Sequence, residues 1–301
     1  MIYIDTIKLP SQDEINDYLS ERNYSLYPWT IFFQNQFEWV SCKDITIFYG
    51  SNGSGKSTLL NLIAEKIGAQ RTNTLFKDVI YNDYKDDTNS FDKFVEAIEI
   101  CMSIDANGDK YFMPAIRKII TGDSIFKKIE DRISHNRVTV NKISKVIAEY
   151  NALRYHATIN YVGSILDKPD ELKKFCECNK MTEAQYVKAH TEPLKRMLSN
   201  GETVLEYYQT AFENGGIYLL DEPENCLSPA FQVKLINMIQ DSAKYFDCQF
   251  IICTHSPFIL GLDNAVIYNL DTEPVIPQKW EELENVKIYF DFFEARKDRF
   301  K

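Results

Sequence analysis

Gly50-Ser51-Asn52-Gly53-Ser54-Gly55-Lys56-Ser57-Thr58 fits the pattern G-x-x-x-x-G-K-[ST]. Glycines at this spacing let successive backbone N–H groups turn inward and cradle phosphate oxygens at the start of a helix. In such a loop Lys56 reaches the β- and γ-phosphates and Ser57 offers its hydroxyl to Mg2+. A glycine-rich turn that merely caps a helix is the bland alternative. The flanks argue against it. Residues 44–49 form a short apolar run, as a buried strand does, and 57–67 carry Leu59, Leu60, Ile63 and Ile67 at helical spacing.

Three further stretches gain meaning beside that loop. Ile217-Tyr218-Leu219-Leu220-Asp221-Glu222 is an apolar run closed by two carboxylates. A parallel strand would set Asp221 at its carboxyl end, where it holds Mg2+ through water, and Glu222 next to it as general base for an attacking water. Alone, a strand ending in a solvated acidic turn explains the run equally well. Cys253-Thr254-His255-Ser256-Pro257 follows Ile251 and Ile252, so His255 stands just past a strand end, within reach of a γ-phosphate. A lone histidine there is more often structural. In Leu198-Ser199-Asn200-Gly201-Glu202, Ser199 and Glu202 have capping-box spacing, and Val204, Leu205, Tyr208 and Phe212 give the next helix an apolar face. That reads as a simple cap, or as a helix N-terminus serving as an anion site, and the two readings stay open.

Composition bounds the rest. The 301 residues are 45% hydrophobic, with 19 Phe and 18 Tyr, enough for a sizeable core and too aromatic for a disordered chain. A net charge of -10 argues against broad coating of nucleic acid or anionic membrane. The sequence has no run of eighteen apolar residues, so direct membrane insertion is not expected, and residues 1–10 lack the cationic and apolar regions of a signal peptide. Seven scattered cysteines fit free thiols in a reducing cytoplasm. Cys176 and Cys178, at C-x-C, lack the spacing of a zinc site.

Along the chain, residues 29–40 read as two strands or one bent strand. From 114 to about 197 the pattern turns helical: Ile116, Ile119, Ile120; then Phe126, Ile129, Ile133; then Ile143, Val146, Ile147, Tyr150. These predict several short helices without sustained heptads, and Pro169 opens another. Strand patterns return at 217–220, 250–253 and 265–270, with a helix at 229–243 between the first two. The fold class expected is α/β with a largely parallel core sheet, an N-terminal antiparallel β part and an inserted helical subdomain. Its domains are 1–112 with 199–301 for the core lobe, and 113–198 for the helical insertion.

The order of these motifs resembles that of ABC-type ATPases, P-loop NTPases. In particular the chain is similar to compact, stand-alone bacterial AAA/ABC-type ATPases related to SMC and RecF heads, which carry G-x-N-G-S-G-K-S-T, S-x-G-E, L-L-D-E-P-E-x-x-L-S-P and T-H-S-P. Residues 50–58, 199–202, 219–229 and 254–257 match these. The likeness covers roughly 1–80 and 195–295 and is poor in the helical block. It implies an enzyme that hydrolyses ATP. Asn52, Gly53, Ser54, Gly55, Lys56, Ser57 and Thr58 would bind the nucleotide, Ser57 and Asp221 would hold Mg2+, Glu222 would be the catalytic carboxylate and His255 the γ-phosphate switch. Ser199, Gly201 and Glu202 would form the signature that touches ATP held by a second copy, which makes a head-to-tail homodimer, and 225–228 would face that copy. Two departures stand out. Relatives carry a Gln where the strand enters the helical block, and here Tyr111-Phe112-Met113 runs into Pro114, with no Gln from 71 to 184. Asn200 replaces the commoner Gly of the signature. Tyr27 or Trp29 would stack on adenine.

Four function classes follow from the resemblance. The first is an ATP-driven switch for a client protein, in anti-phage defence or a mobile element. The others are a DNA-repair ATPase of SMC or RecF kind, a transporter's ATPase subunit, and a nuclease of the overcoming-lysogenisation-defect type. The last appends a nuclease domain for which little chain follows His255, the short helices argue against an SMC head, and T-H-S-P is commoner outside transporters. Residues 113–149 hold eight Lys or Arg against four acids, a +4 segment in a chain of -10. This basic block is either a solvated face or a contact for a partner, nucleic acid included.

Overall fold

The computed structural model describes residues 2–20, 27–32, 36–71, 88–105, 107–158, 169–194 and 199–300. The chain divides into two compact units, Met1–Phe126 with Asn200–Lys301, and Lys127–Ser199. The strands are β1 (Ile4–Lys8), β2 (Trp39–Ser41), β3 (Ile45–Tyr49), β4 (Gln70–Arg71), β5 (Glu99–Met102), β6 (Ile116–Ile120), β7 (Gly216–Asp221), β8 (Gln249–Cys253), β9 (Val266–Asn269) and β10 (Pro277–Gln278). The helices are α1 (Gln12–Ser20), α2 (Lys56–Lys66), α3 (Thr88–Ala97), α4 (Gly122–Thr158), α5 (Pro169–Lys180), α6 (Glu183–His190), α7 (Asn200–Ala211), α8 (Pro229–Tyr245), α9 (Pro257–Leu260) and α10 (Glu284–Glu294).

The first unit is built on a seven-stranded sheet of order β10-β9-β3-β8-β7-β6-β4, parallel except for β10 at its edge. A second, antiparallel sheet has the order β2-β1-β5. Central strands of a covered parallel sheet are buried on both faces, which is why β3 and β8 are largely apolar, with every residue buried, Thr46 and Gln249 included. Leu59, Leu60, Leu62 and Ile63 of α2 join Phe48, Leu219 and Ile251 in one core cluster. The register sets Phe48 level with Cys253 and Cys253 level with Asp221. Three strands therefore end at the same height, and the loops after β3, β7 and β8 emerge side by side.

Residues 116–120 correct the helical reading of that stretch. Ile116-Arg117-Lys118-Ile119-Ile120 is strand β6, paired in parallel with β7 through five residues. A stretch of five residues is too short to distinguish strand from helix by period. Its β-branched composition, bounded by Pro114 and Gly122, favours the strand. The strand entering the helical block is thus β6, and the residue after it is Thr121, whose hydroxyl lies 3.3 Å from Ser124 Oγ. Residues 27–31 form turns, and from 29–40 only Trp39 and Val40 enter a strand; 33–35 lie outside the described residues.

The second unit holds most of α4 with α5 and α6. Here one helix of 37 residues stands where several short ones were expected. Buried or partly buried positions run Ile129, Arg132, Asn136, Thr139, Ile143, Val146, Tyr150, at alternating steps of three and four. Arg132, Asn136 and Thr139 occupy the middle of that stripe, so the apolar period is interrupted while the helical one continues. Val146, Tyr150, Cys178 and Tyr186 form a small core, with Leu153, Met181 and Val187 against it. A Thr182–Gln185 capping box opens α6.

Candidate functional site

The phosphate loop leaves β3 and turns into α2. Gly53 and Gly55 have φ of 89° and 91°, the left-handed region that glycine enters without strain. At Gly55, which precedes α2, a Cβ would also lie 2.5 Å from Ile31 Cγ2, so the position is closed to side chains twice over. Asn52 is exposed at the loop's tip. Lys56 is buried and donates to the carbonyls of Gly50 at 2.9 Å and Ser51 at 2.8 Å, folding its ammonium back under the loop. Burial holds its pKa below the usual lysine value, with nearby carboxylates opposing. Thr58 Oγ1 accepts from the Tyr27 hydroxyl at 3.0 Å.

The loops after β7 and β8 meet this one. Ser57 Oγ donates to Asp221 Oδ1 at 2.9 Å. Burial pushes the Asp221 carboxyl up to about 6, against the lowering effect of the Ser57 bond. Glu222 has φ of 47°, an uncommon conformation for a side-chain-bearing residue and a cost borne most often at functional sites. Its N–H donates to the Cys253 carbonyl at 2.8 Å, its Oε2 accepts from Asn225 Nδ2 at 3.0 Å, and its Oε1 lies 3.8 Å from His255 Nε2. Burial, then the charge of Lys56, holds the His255 pKa below the usual histidine value and favours a neutral ring.

Of the residues singled out from sequence, Lys56, Ser57, Asp221, Glu222 and His255 come together here. Ser199 is exposed, and Leu198 lies outside the described residues. Gly201 and Glu202 fall in the first turn of α7. Gly201 is buried, and a Cβ there would meet Phe231 Cδ2 of α8 at 2.7 Å, so close helix packing requires this glycine independently of any ligand. Trp29 is buried, stacks on Tyr18 with ring centroids 4.0 Å apart and donates to the Ser90 carbonyl, which places it in the core and corrects its reading as an adenine platform. Gln70 lies on strand β4.

Sequence reasoning missed three neighbours. Asp271, after β9, accepts from Ser51 N–H at 2.6 Å and Ser51 Oγ at 2.8 Å. Asn285 Nδ2 donates to the His255 carbonyl at 2.6 Å. Glu224 Oε1 accepts from Thr254 Oγ1, His255 N–H and Ser256 N–H at 2.7, 2.8 and 3.0 Å. Only the acidic residue two places after Glu222 carried any signal of this, since hydrogen bonds across thirty residues leave no period.

The donor set fits a magnesium nucleotide. Ser54 Oγ and His255 Nε2 are buried beside the loop with no hydrogen-bond partner. Among the described residues no group of three or more His, Cys, Asp or Glu could hold a metal ion by itself. A cation here would be shared between Ser57, Asp221 and the phosphates of a ligand, the way Mg2+ binds in such sites. Also among the described residues, no helix is long and apolar enough to cross a membrane.

A family model described as KAP family P-loop domain matches residues 43–210, and one described as AAA ATPase domain matches residues 204–260. No curated protein matches the sequence. Among solved structures, the Smc head domain of Pyrococcus furiosus, with an extended coiled coil and bound to the C-terminal domain of ScpA, is similar at a TM-score of 0.42 and 14% identity, over 97% of this chain and 100% of that one. The SMC head domain from Thermotoga maritima is similar at a TM-score of 0.41 and 12% identity, over 92% and 100%.

Proposed function

This chain belongs to the KAP family of P-loop domains, and from that premise we propose that it binds and hydrolyses ATP with Mg2+, in the cytoplasm, at composite sites of a head-to-tail homodimer. The observation that carries the hydrolytic reading is the convergence of Lys56, Ser57, Asp221, Glu222 and His255 at the level ends of three parallel strands, with Ser57 bonded to Asp221 and Glu222 3.8 Å from His255. Asn52, Gly53, Ser54, Gly55 and Thr58 complete the cradle, and Lys56 neutralises phosphate charge. Ser57 and Asp221 would hold Mg2+, which supplies charge stabilisation to the phosphates. Glu222 takes the proton of the attacking water. Asn225 on one carboxylate oxygen fixes the direction in which the other points. A neutral His255 keeps an N–H for the phosphate end of the nucleotide.

Ser199, Gly201 and Glu202, at the start of α7, would complete the site of the second copy. Closing and opening of that dimer would switch a client protein, with the Lys127–Ser199 unit as the inserted helical subdomain that presents it. A second reading, contact with nucleic acid, is favoured by the basic run of α4.

Glu222→Gln tests the hydrolytic reading. A general base contributes about 10² to 10⁴ in rate, so phosphate release should fall by at least about a hundredfold while ATP binding, measured by calorimetry, stays near that of the wild type. Wild-type turnover in this variant removes Glu222 from the mechanism.

A further inference from the structure

Past β8 the backbone N–H groups of residues 255 and 256 have left the sheet ladder. Both donate to one atom, Glu224 Oε1, which also accepts from the Thr254 hydroxyl; the Ser256 N–H is shared with Thr254 Oγ1 at 3.0 Å. A carboxylate accepting three bonds at 2.7–3.0 Å is a charge-assisted anchor, stronger than neutral turn contacts. The other oxygen, Oε2, is buried with no partner. Burial raises the Glu224 pKa above the usual glutamate value, and the three bonds oppose that rise. Sinking a carboxylate with half its acceptors unused is costly, and a turn alone does not require it. Other contacts already hold this segment: Ser256 Oγ donates to Gln232 Oε1 at 2.6 Å and caps α9, and Asn285 grips the His255 carbonyl. What Glu224 adds is control of the two peptide groups between which the His255 side chain is slung.

We propose that Glu224 is a positioning residue for hydrolysis: by fixing the Thr254–Ser256 turn it sets the His255 imidazole against Glu222 and the phosphate end of the nucleotide. The inference rests on the ATPase reading. It gives that reading a third carboxylate, whose task is geometry and not proton transfer. A glutamine here keeps an oxygen for the same three donors; an alanine keeps none.

The test compares the full-length wild type with Glu224→Ala, Glu224→Gln and Thr254→Val in steady-state ATP hydrolysis, with thermal melting as a check on folding. Glu224→Ala should lower kcat by about tenfold or more and leave KM for ATP within about threefold, because the lesion acts on a group used after binding. Glu224→Gln should recover most of the rate, and Thr254→Val should fall between them. A role confined to stability moves melting temperature and leaves kcat of the folded enzyme untouched. If Glu224→Ala fails to fold, Thr254→Val carries the comparison. Wild-type kcat in Glu224→Ala, or a Glu224→Gln as slow as the alanine variant, overturns the proposal. If the wild type itself hydrolyses no ATP, the ATPase reading fails, and the hold of Glu224 on the turn is then read from the ring signal of His255 in nuclear magnetic resonance spectra. Displacement of that signal in Glu224→Ala with return in Glu224→Gln keeps the positioning role; an unmoved signal in Glu224→Ala ends it.

Discussion

At Gly201 a methyl group has no room. The Cβ of an alanine would sit 2.7 Å from Cδ2 and 3.0 Å from Cε2 of the Phe231 ring, and α7 and α8 would have to part. Overpacking of this kind costs about 1–3 kcal/mol. Gly201→Ala should therefore lower the melting temperature, and adding Phe231→Leu should return most of the loss; a Gly201→Ala protein as stable as the wild type contradicts the close approach. From sequence, Gly201 was legible only as a member of a signature motif, because its packing partner lies thirty positions downstream and no local pattern links them. Lys56, Ser57, Asp221 and His255 were legible for the opposite reason. Each stands at a fixed offset from a strand end, and strand ends are visible as apolar runs closed by Gly, Asp or Thr. Glu224 stands inside the matched D-E-P-E stretch, but it and Asp271 act through bonds to distant backbone, so no spacing in the sequence shows what either holds.

Among elements, β3, β7, β8 and α8 are strong local signals: strands of five or six residues that are largely apolar, and a helix with Pro229 at its start. Strand β6 and helix α4 are weak ones, the first too short to show a period, the second carrying Arg132, Asn136 and Thr139 in its inward stripe. Once α4 is one continuous helix, its cations have defined places. Lys127, Arg137, Lys142 and Lys145 are all exposed, and at 1.5 Å per residue the first and last stand about 27 Å apart along the axis. A line of that length can meet several phosphates of a duplex. Changing these four to glutamine should weaken DNA binding, and the slope of log affinity against log salt should shrink by about one for each phosphate left without its cation. Basal ATP hydrolysis should persist, since none of the four belongs to the nucleotide site. DNA affinity and salt slope equal to the wild type's would leave α4 as scaffold.

At the scale of the whole molecule the question is how many chains make one working site. Within one chain the phosphate loop, the Asp221–Glu222 pair and His255 share the ends of β3, β7 and β8, whereas Ser199 and Gly201 stand at the start of α7, and Gly201 is already accounted for by Phe231. In the proposed head-to-tail dimer, the nucleotide that the start of α7 serves is the one held by another copy. Ser199→Arg should then abolish hydrolysis and leave the ATP affinity of the isolated monomer intact, because the new side chain obstructs the partner's ligand and not its own. Lys56→Ala has the converse lesion, in its own phosphate loop. Mixed in equal amounts, the two inactive proteins form heterodimers in which one composite site carries both lesions and the other carries neither. With random pairing half the dimers are mixed and each has one of two sites intact, so about a quarter of wild-type activity should return. A site contained within a single chain predicts no recovery at any mixing ratio, and so does a lesion that unfolds either protein; intact melting curves separate these. Loss of ATP binding by monomeric Ser199→Arg would instead place the α7 N-terminus beside its own phosphate loop and rule out the head-to-tail arrangement.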